Sequence, residues 1–316
     1  MKIFLRRITS FIGFALVFYL FFNILWGLFL PLLAKNINYR IGSYGYMHTR
    51  IQNLKAYSGI DILFLGSSHA YRGFDPRIFK ANGIRVFNLG SSSQTPIQTE
   101  VLLDRYLESL KPKLVVYEVS PVNFSSDGVE SAVDIIANDT NDIGSIKMAL
   151  KINHVKVYNT LIYGLFRGLL HLDSSFVEDL TKGDDTYVEG GFVEKKIAHY
   201  DKSMDFPSRK MNLKQKQLRA FEKILSKLRE REVAVFLVQA PVTSGFYHAR
   251  SNNSDIDAYF RRIGNYYNFN KIIELSDNQH FYDERHLNQA GVELFNAKLL
   301  EILRDNVVPT KKSNLK

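Results

Sequence analysis

The residues that could carry chemistry stand far apart in the chain. An apolar run at 62–65 leads into Gly66, Ser67 and Ser68. A serine in a strand-to-loop turn is a nucleophile only with a base beside it, and Gly-Ser-Ser alone fills many ordinary turns. The base candidates lie more than two hundred residues later, in HFYDERHLNQAGVELF at 280–295. Asp283 and His286 are three apart, so the carboxylate can bond one imidazole nitrogen, fix the tautomer and leave the other nitrogen to take a serine proton. Asp277 and His280 repeat that spacing and compete. The Leu-Asn-x-x-Gly after His286 ties the first pair to a helix start, a rigid mount, and favours it. His48, His154, His171, His199 and His248 read as core or surface residues. For a tetrahedral intermediate, Gly90 offers a backbone amide that no side chain crowds, and Asn123 in SPVNF offers a side-chain amide. Either feature is also consistent with a plain turn.

The elements that must position these groups follow from the apolar pattern. Runs at 62–65, 86–89, 114–119, 233–238 and 272–275 are short, rich in Val, Ile, Leu or Phe, and show little polar alternation. Strands covered on both faces read this way. Leu218, Phe221, Ile224, Leu225 and Leu228 mark one face of a helix. Ala290, Leu294, Ala297, Leu300 and Leu303 mark another, with Asn288 as its cap. Strands alternating with helices predict an α/β domain with a mainly parallel sheet, whose ligands sit at the carboxyl ends of the strands. A largely helical insertion is expected at about 125–211. Its apolar middle either covers the site or rests on lipid or an integral membrane partner.

In order, Gly66-Ser67-Ser68, Gly90, a strand-end Asn and Asp283-x-x-His286 resemble the blocks of the SGNH (GDSL-type) hydrolase superfamily, over about 62–303 without the insertion. The resemblance implies a three-layer sandwich around a five-stranded parallel sheet. It also implies Ser68 as nucleophile, Asp283 and His286 as its partners, and Gly90 with Asn123 in the oxyanion hole. Ser67 stands where the family usually has Asp, and SPVNF fits the Gly-x-Asn-Asp block only with a one-residue shift. The strand-GSSH start, the YD-x-x-HLN-x-x-G end and the apolar N-terminus are most similar to a membrane-tethered branch. That branch includes the D-alanine transfer protein of teichoic acid systems and the alginate acetylation proteins, which act beside a membrane-bound O-acyltransferase.

Residues 8–34 carry no charge and as a helix would reach about 40 Å, beyond a hydrocarbon core of about 30 Å. Lys2, Arg6 and Arg7 precede them, and no small-x-small cleavage site follows. The expectation is one uncleaved inner-membrane anchor over 1–35, a neck over 36–59, an extracytoplasmic domain over 60–308 and a flexible tail over 309–316. The chain of 316 residues is 46% hydrophobic, with 41 Lys and Arg against 32 Asp and Glu and no cysteine. Disulfides, thiol catalysis and Cys-based zinc sites are excluded. Without a long basic run, P-loop, GxGxxG or HExxH motif, neither nucleic acid, a nucleotide cofactor nor a metal is expected. The expected activity is serine acyl transfer or ester hydrolysis on O-acyl groups of a cell-envelope glycan, with no cofactor. The alternative is a non-catalytic scaffold of the same fold that recruits the acyltransferase.

Overall fold

The computed structural model describes residues 1–29, 37–42, 45–202 and 204–307. The tail expected at 309–316 and the anchor's end at 30–35 lie outside these residues. Helix α1 (Lys2–Phe29) is long and apolar enough to cross a membrane. Helix α2 (Met47–Leu54) follows, then strand β1 (Ile62–Leu65), α3 (Ser68–Tyr71), α4 (Pro76–Ala81), β2 (Val86–Asn88), α5 (Pro96–Leu110), β3 (Leu114–Glu118) and α6 (Pro121–Ser125). Three helices, α7 (Val129–Asn138), α8 (Ile143–Ile152) and α9 (Val155–Leu169), precede a small antiparallel sheet of β4 (Thr181–Lys182), β5 (Asp185–Val188) and β6 (Phe192–Lys195). The chain then returns through α10 (Gln215–Glu230), β7 (Ala234–Gln239), α11 (Ser244–His248), α12 (Asn253–Ile263), β8 (Asn265–Asn268), α13 (Phe269–Ile272), α14 (Asp277–His280) and α15 (Gln289–Val307).

The five-stranded sheet has the order β2-β1-β3-β7-β8, and every pairing is parallel. Strand side chains alternate between faces, and here both faces are apolar and covered. Leu63, Leu65, Val115, Tyr117 and Leu237 join a core with α2, α5, α7, α8, α9, α10 and α12. Ile62, Phe64, Val116, Phe236 and Val238 join a second core with α4, α13 and α15. The result is the expected three-layer α/β sandwich.

Three expectations need correction. The fifth strand is Asn265-Tyr266-Tyr267-Asn268, not 272–275. As an edge strand it is held by aromatic and polar contacts: Tyr267 tilts against Phe236, and the Tyr266 hydroxyl donates to Asp257. Ile272, Ile273 and Leu275 cover the second core from the end of α13 and the turn after it. Helix α15 buries Val292, Phe295, Leu299 and Leu303, while Leu294 and Ala297 face solvent. Its rotation is set by Phe295 against Phe74 and Phe269, and by buried Asn296, whose amide donates to Gly73 O at 2.7 Å. Finally, α2 does not behave as a neck. Met47, Ile51 and Leu54 lie in the first core, and the buried Arg50 donates to Gly191 O at 3.0 Å.

Candidate active site

Strand β1 delivers Ser68 through one tight turn. Gly66 has φ +139° and lies so close to β3 that a Cβ there would come within 2.7 Å of Glu118 Cβ, so glycine is required. Ser67 is then turned inward, 1% exposed, where its Oγ accepts the His69 amide and caps α3. Ser68 opens that helix with its hydroxyl towards solvent-accessible space. Its amide, at the first position of α3, has no carbonyl one turn earlier to receive it.

The second half of the site is a short closed loop. Phe281 and Leu287 form a bridge, and both are buried in the second core. Between them, Tyr282 N–H donates to His286 O, while Asp283 Oδ1 accepts the amides of Arg285 and His286, each at 2.8 Å. That turn brings the carboxylate against the imidazole: Nδ1 lies 2.9 Å from Asp283 Oδ2, and Nε2 lies 2.8 Å from Ser68 Oγ. The structure therefore joins Ser68, His286 and Asp283 in one hydrogen-bonded chain. The ring is held on both sides, parallel to Tyr282 at 5.6 Å and tilted against His69 at 5.2 Å. Asn288 Oδ1 accepts the Gly291 amide, fixing the start of α15 directly behind the loop.

Burial alone would raise the Asp283 carboxyl. The hydrogen bond and charge of His286, with the two backbone amides, outweigh it and hold the group below its ordinary value. With Nδ1–H donated to this carboxylate, Nε2 is left to accept the Ser68 proton.

The expected oxyanion donors fare differently. Gly90 N–H donates to Asn88 Oδ1 at 3.1 Å and is not offered to the pocket. Asn88 is clamped in turn by donating to Ala70 O at 2.7 Å. Glycine is needed at position 90 for close approach, because a Cβ would lie 2.8 Å from Ser67 O. Asn123, on α6 after β3, lines the same cavity of about 470 Å³ as Ser68 and His286. No hydrogen bond joins its side-chain amide to another of the described residues, which leaves it available to a ligand. Arg72, Ser92, Tyr282 and Arg285 complete a polar wall.

Two groups beneath the site were not anticipated. Glu118 ends β3, and burial pushes its carboxyl up to about 8 against the opposing hydrogen bonds of Ser67. His69 is buried, and desolvation, followed by the neighbouring His286, lowers it well below the ordinary imidazole range. Both shifts favour the uncharged forms, and the two groups approach at 3.8 Å. A charged residue closing the otherwise apolar strand LVVYE was the available signal for Glu118. For His69, adjacency to Ser68 was the only one.

The competing pair separates. Asp277 accepts the Ser244 amide at 2.9 Å, and His280 Nδ1 accepts the Ser276 amide at 2.9 Å.

No protein-family model and no curated protein matches the chain. Among solved structures it is similar to an acylhydrolase candidate from Bacteroides fragilis, with 11% identity and a TM-score of 0.42 over 82% of this chain and 94% of that one. It is also similar to a GDSL-like lipase from Bacteroides thetaiotaomicron, with 12% identity and a TM-score of 0.41 over 83% of this chain and 98% of that one.

Proposed function

We propose that this chain is a membrane-anchored serine acyltransferase or esterase of the SGNH type, acting outside the cytoplasmic membrane on O-acyl groups of a cell-envelope glycan. The observation that carries the reading is the continuous bonding from Asp283 through His286 to Ser68 Oγ. His286 Nε2 takes the hydroxyl proton as Oγ bonds the acyl carbon. The resulting oxyanion is met by the Ser68 amide and the Asn123 side chain. On collapse the same proton passes to the leaving oxygen, giving an acyl-serine and a free alcohol. Water or a sugar hydroxyl then gives its proton to His286, attacks the acyl carbon and frees Ser68. General-base help of this kind is worth about 10²–10⁴-fold, and one oxyanion donor about 10²–10³-fold.

Transfer to a glycan is supported by the polar pocket wall, since most small-molecule pockets are mainly apolar whereas hydroxyl-rich acceptors need donors and acceptors. A membrane-bound O-acyltransferase beside the anchor would supply the acyl group. The test is a model acyl ester incubated with the full chain, with and without a glycan acceptor, following the acyl group by mass. Acyl groups on the glycan support transfer. Quantitative release to water makes the protein an esterase, and no turnover of any ester removes the proposal.

A further inference from the structure

We infer that the turn joining α8 to α9 is a tip that enters the outer leaflet of the bilayer and sets the height of the domain above it. The inference rests on α1 crossing that bilayer. Residues 2–22 of α1 stand almost clear of the domain: Phe11, Phe14 and Phe18 are 70%, 67% and 58% exposed. The uncharged part of that stretch, residues 8–22, is about 22 Å long, and the long side chains of Arg6 and Arg7 can reach from its lower end towards the headgroups of a hydrocarbon core about 30 Å thick. The remainder of α1 is docked. Asn23 is 1% exposed; its amide donates to Asn159 O at 3.1 Å, and it receives the Asn38 amide on Oδ1 at 2.6 Å. The Tyr163 hydroxyl donates to Gly27 O at 2.9 Å, where a Cβ would lie 2.5 Å from the Tyr163 ring.

The direction of these contacts matters most. Tyr19 and Asn23 meet Asn159, and Gly27 meets Tyr163, so α1 and α9 run parallel along this contact. The N-terminal end of α9 therefore points back towards the membrane. We place the upper edge of the hydrocarbon at the buried polar cluster around Asn23, where α1 docks on the domain. Val155, one turn before Asn159, then lies about 6–9 Å below that level, the depth at which amphipathic segments rest among headgroups and upper acyl chains. The residues at that depth suit it. Leu150 and Val155 are 63% and 59% exposed, and the exposed Lys147 stands on α8 one turn before Leu150, while Lys151 is paired with Glu100 at 2.8 Å.

Because the chain has no cysteine, single spin labels report this directly. Leu150→Cys, Val155→Cys, Phe14→Cys and Glu293→Cys would each be labelled in the full chain, reconstituted into vesicles of phosphatidylcholine and phosphatidylglycerol. Collision with oxygen is then compared with collision with a water-soluble nickel chelate. The expected result is strong oxygen preference at 14, intermediate oxygen preference at both 150 and 155, and nickel preference at 293 in the opposite helical layer. Nickel preference at 150 and 155 with oxygen preference at 14 overturns the tip and leaves the anchor standing. Nickel preference at 14 overturns the anchor, and the tip with it.

Discussion

Two Asp-x-x-His pairs lie six residues apart in this protein, and only one of them is a pair. Asp283 and His286 sit in a loop pinned at both ends by buried Phe281 and Leu287, and the turn between folds the carboxylate onto the imidazole. Asp277 and His280 sit on helix α14, where each side chain is spent on a different backbone amide, that of Ser244 and that of Ser276. Identical spacing thus gives a carboxylate–imidazole hydrogen bond in one place and two local hydrogen-bond anchors in the other. What differs is the backbone: a closed turn brings the two groups together, whereas on the short helix each bonds main chain instead.

The largest expected effect that separates the two regions is at the serine itself. Ser68→Ala should lower turnover of a model ester on the order of 10⁵–10⁶-fold, while Ser67→Ala, which removes a helix cap and a contact with Glu118, should retain most activity. Asp283→Asn should cost about 10²–10⁴-fold in kcat/KM, because the imidazole loses its tautomer control. Asp277→Asn should leave kcat/KM near the parent value. Equal losses from the two substitutions would break the comparison. Asn123→Ala should lower kcat about 10²–10³-fold with little change in KM, since the amide acts on the oxyanion.

A smaller effect appears in stability against pH. Asp283 is held below its ordinary value, so its stabilising contribution is present above that value and is lost as acid protonates it in the folded state. Glu118 has the opposite sign. Its folded value is raised from 4.5 to about 8, so the folded protein keeps a proton that the unfolded chain releases, and stability falls as pH rises between those values. Thermal midpoints should show Asp283→Asn approaching the parent below about pH 4. Glu118→Gln should flatten the parent's decline from pH 5 to 8; an unchanged slope would mean that Glu118 is ionised in the fold.

The sheet was largely legible in the chain because four of its strands are mainly apolar runs with little polar alternation. The fifth was hidden, since an edge strand made of Asn and Tyr is stabilised by rings and hydroxyls that a hydrophobicity pattern does not weigh. The face of α15 was misjudged for a related reason: a buried Asn296 sets its rotation, and a polar residue is not counted in an apolar stripe. In the site, Asp283, His286 and Asn123 could be picked out as candidates by residue type and spacing, whereas Ser68 rather than Ser67 was indicated only by the resemblance to the family's blocks. The engagement of the Gly90 amide by Asn88 could not, because it depends on where a neighbouring side chain points.

The central claim is that Ser68 is an activated nucleophile with His286 as its base. Its most direct test is reaction of the full chain with a fluorophosphonate probe, followed by peptide mass mapping. The account predicts one adduct on Ser68 that disappears in His286→Ala and persists in His280→Ala. An adduct on Ser67, or labelling of Ser68 indifferent to His286, would contradict it.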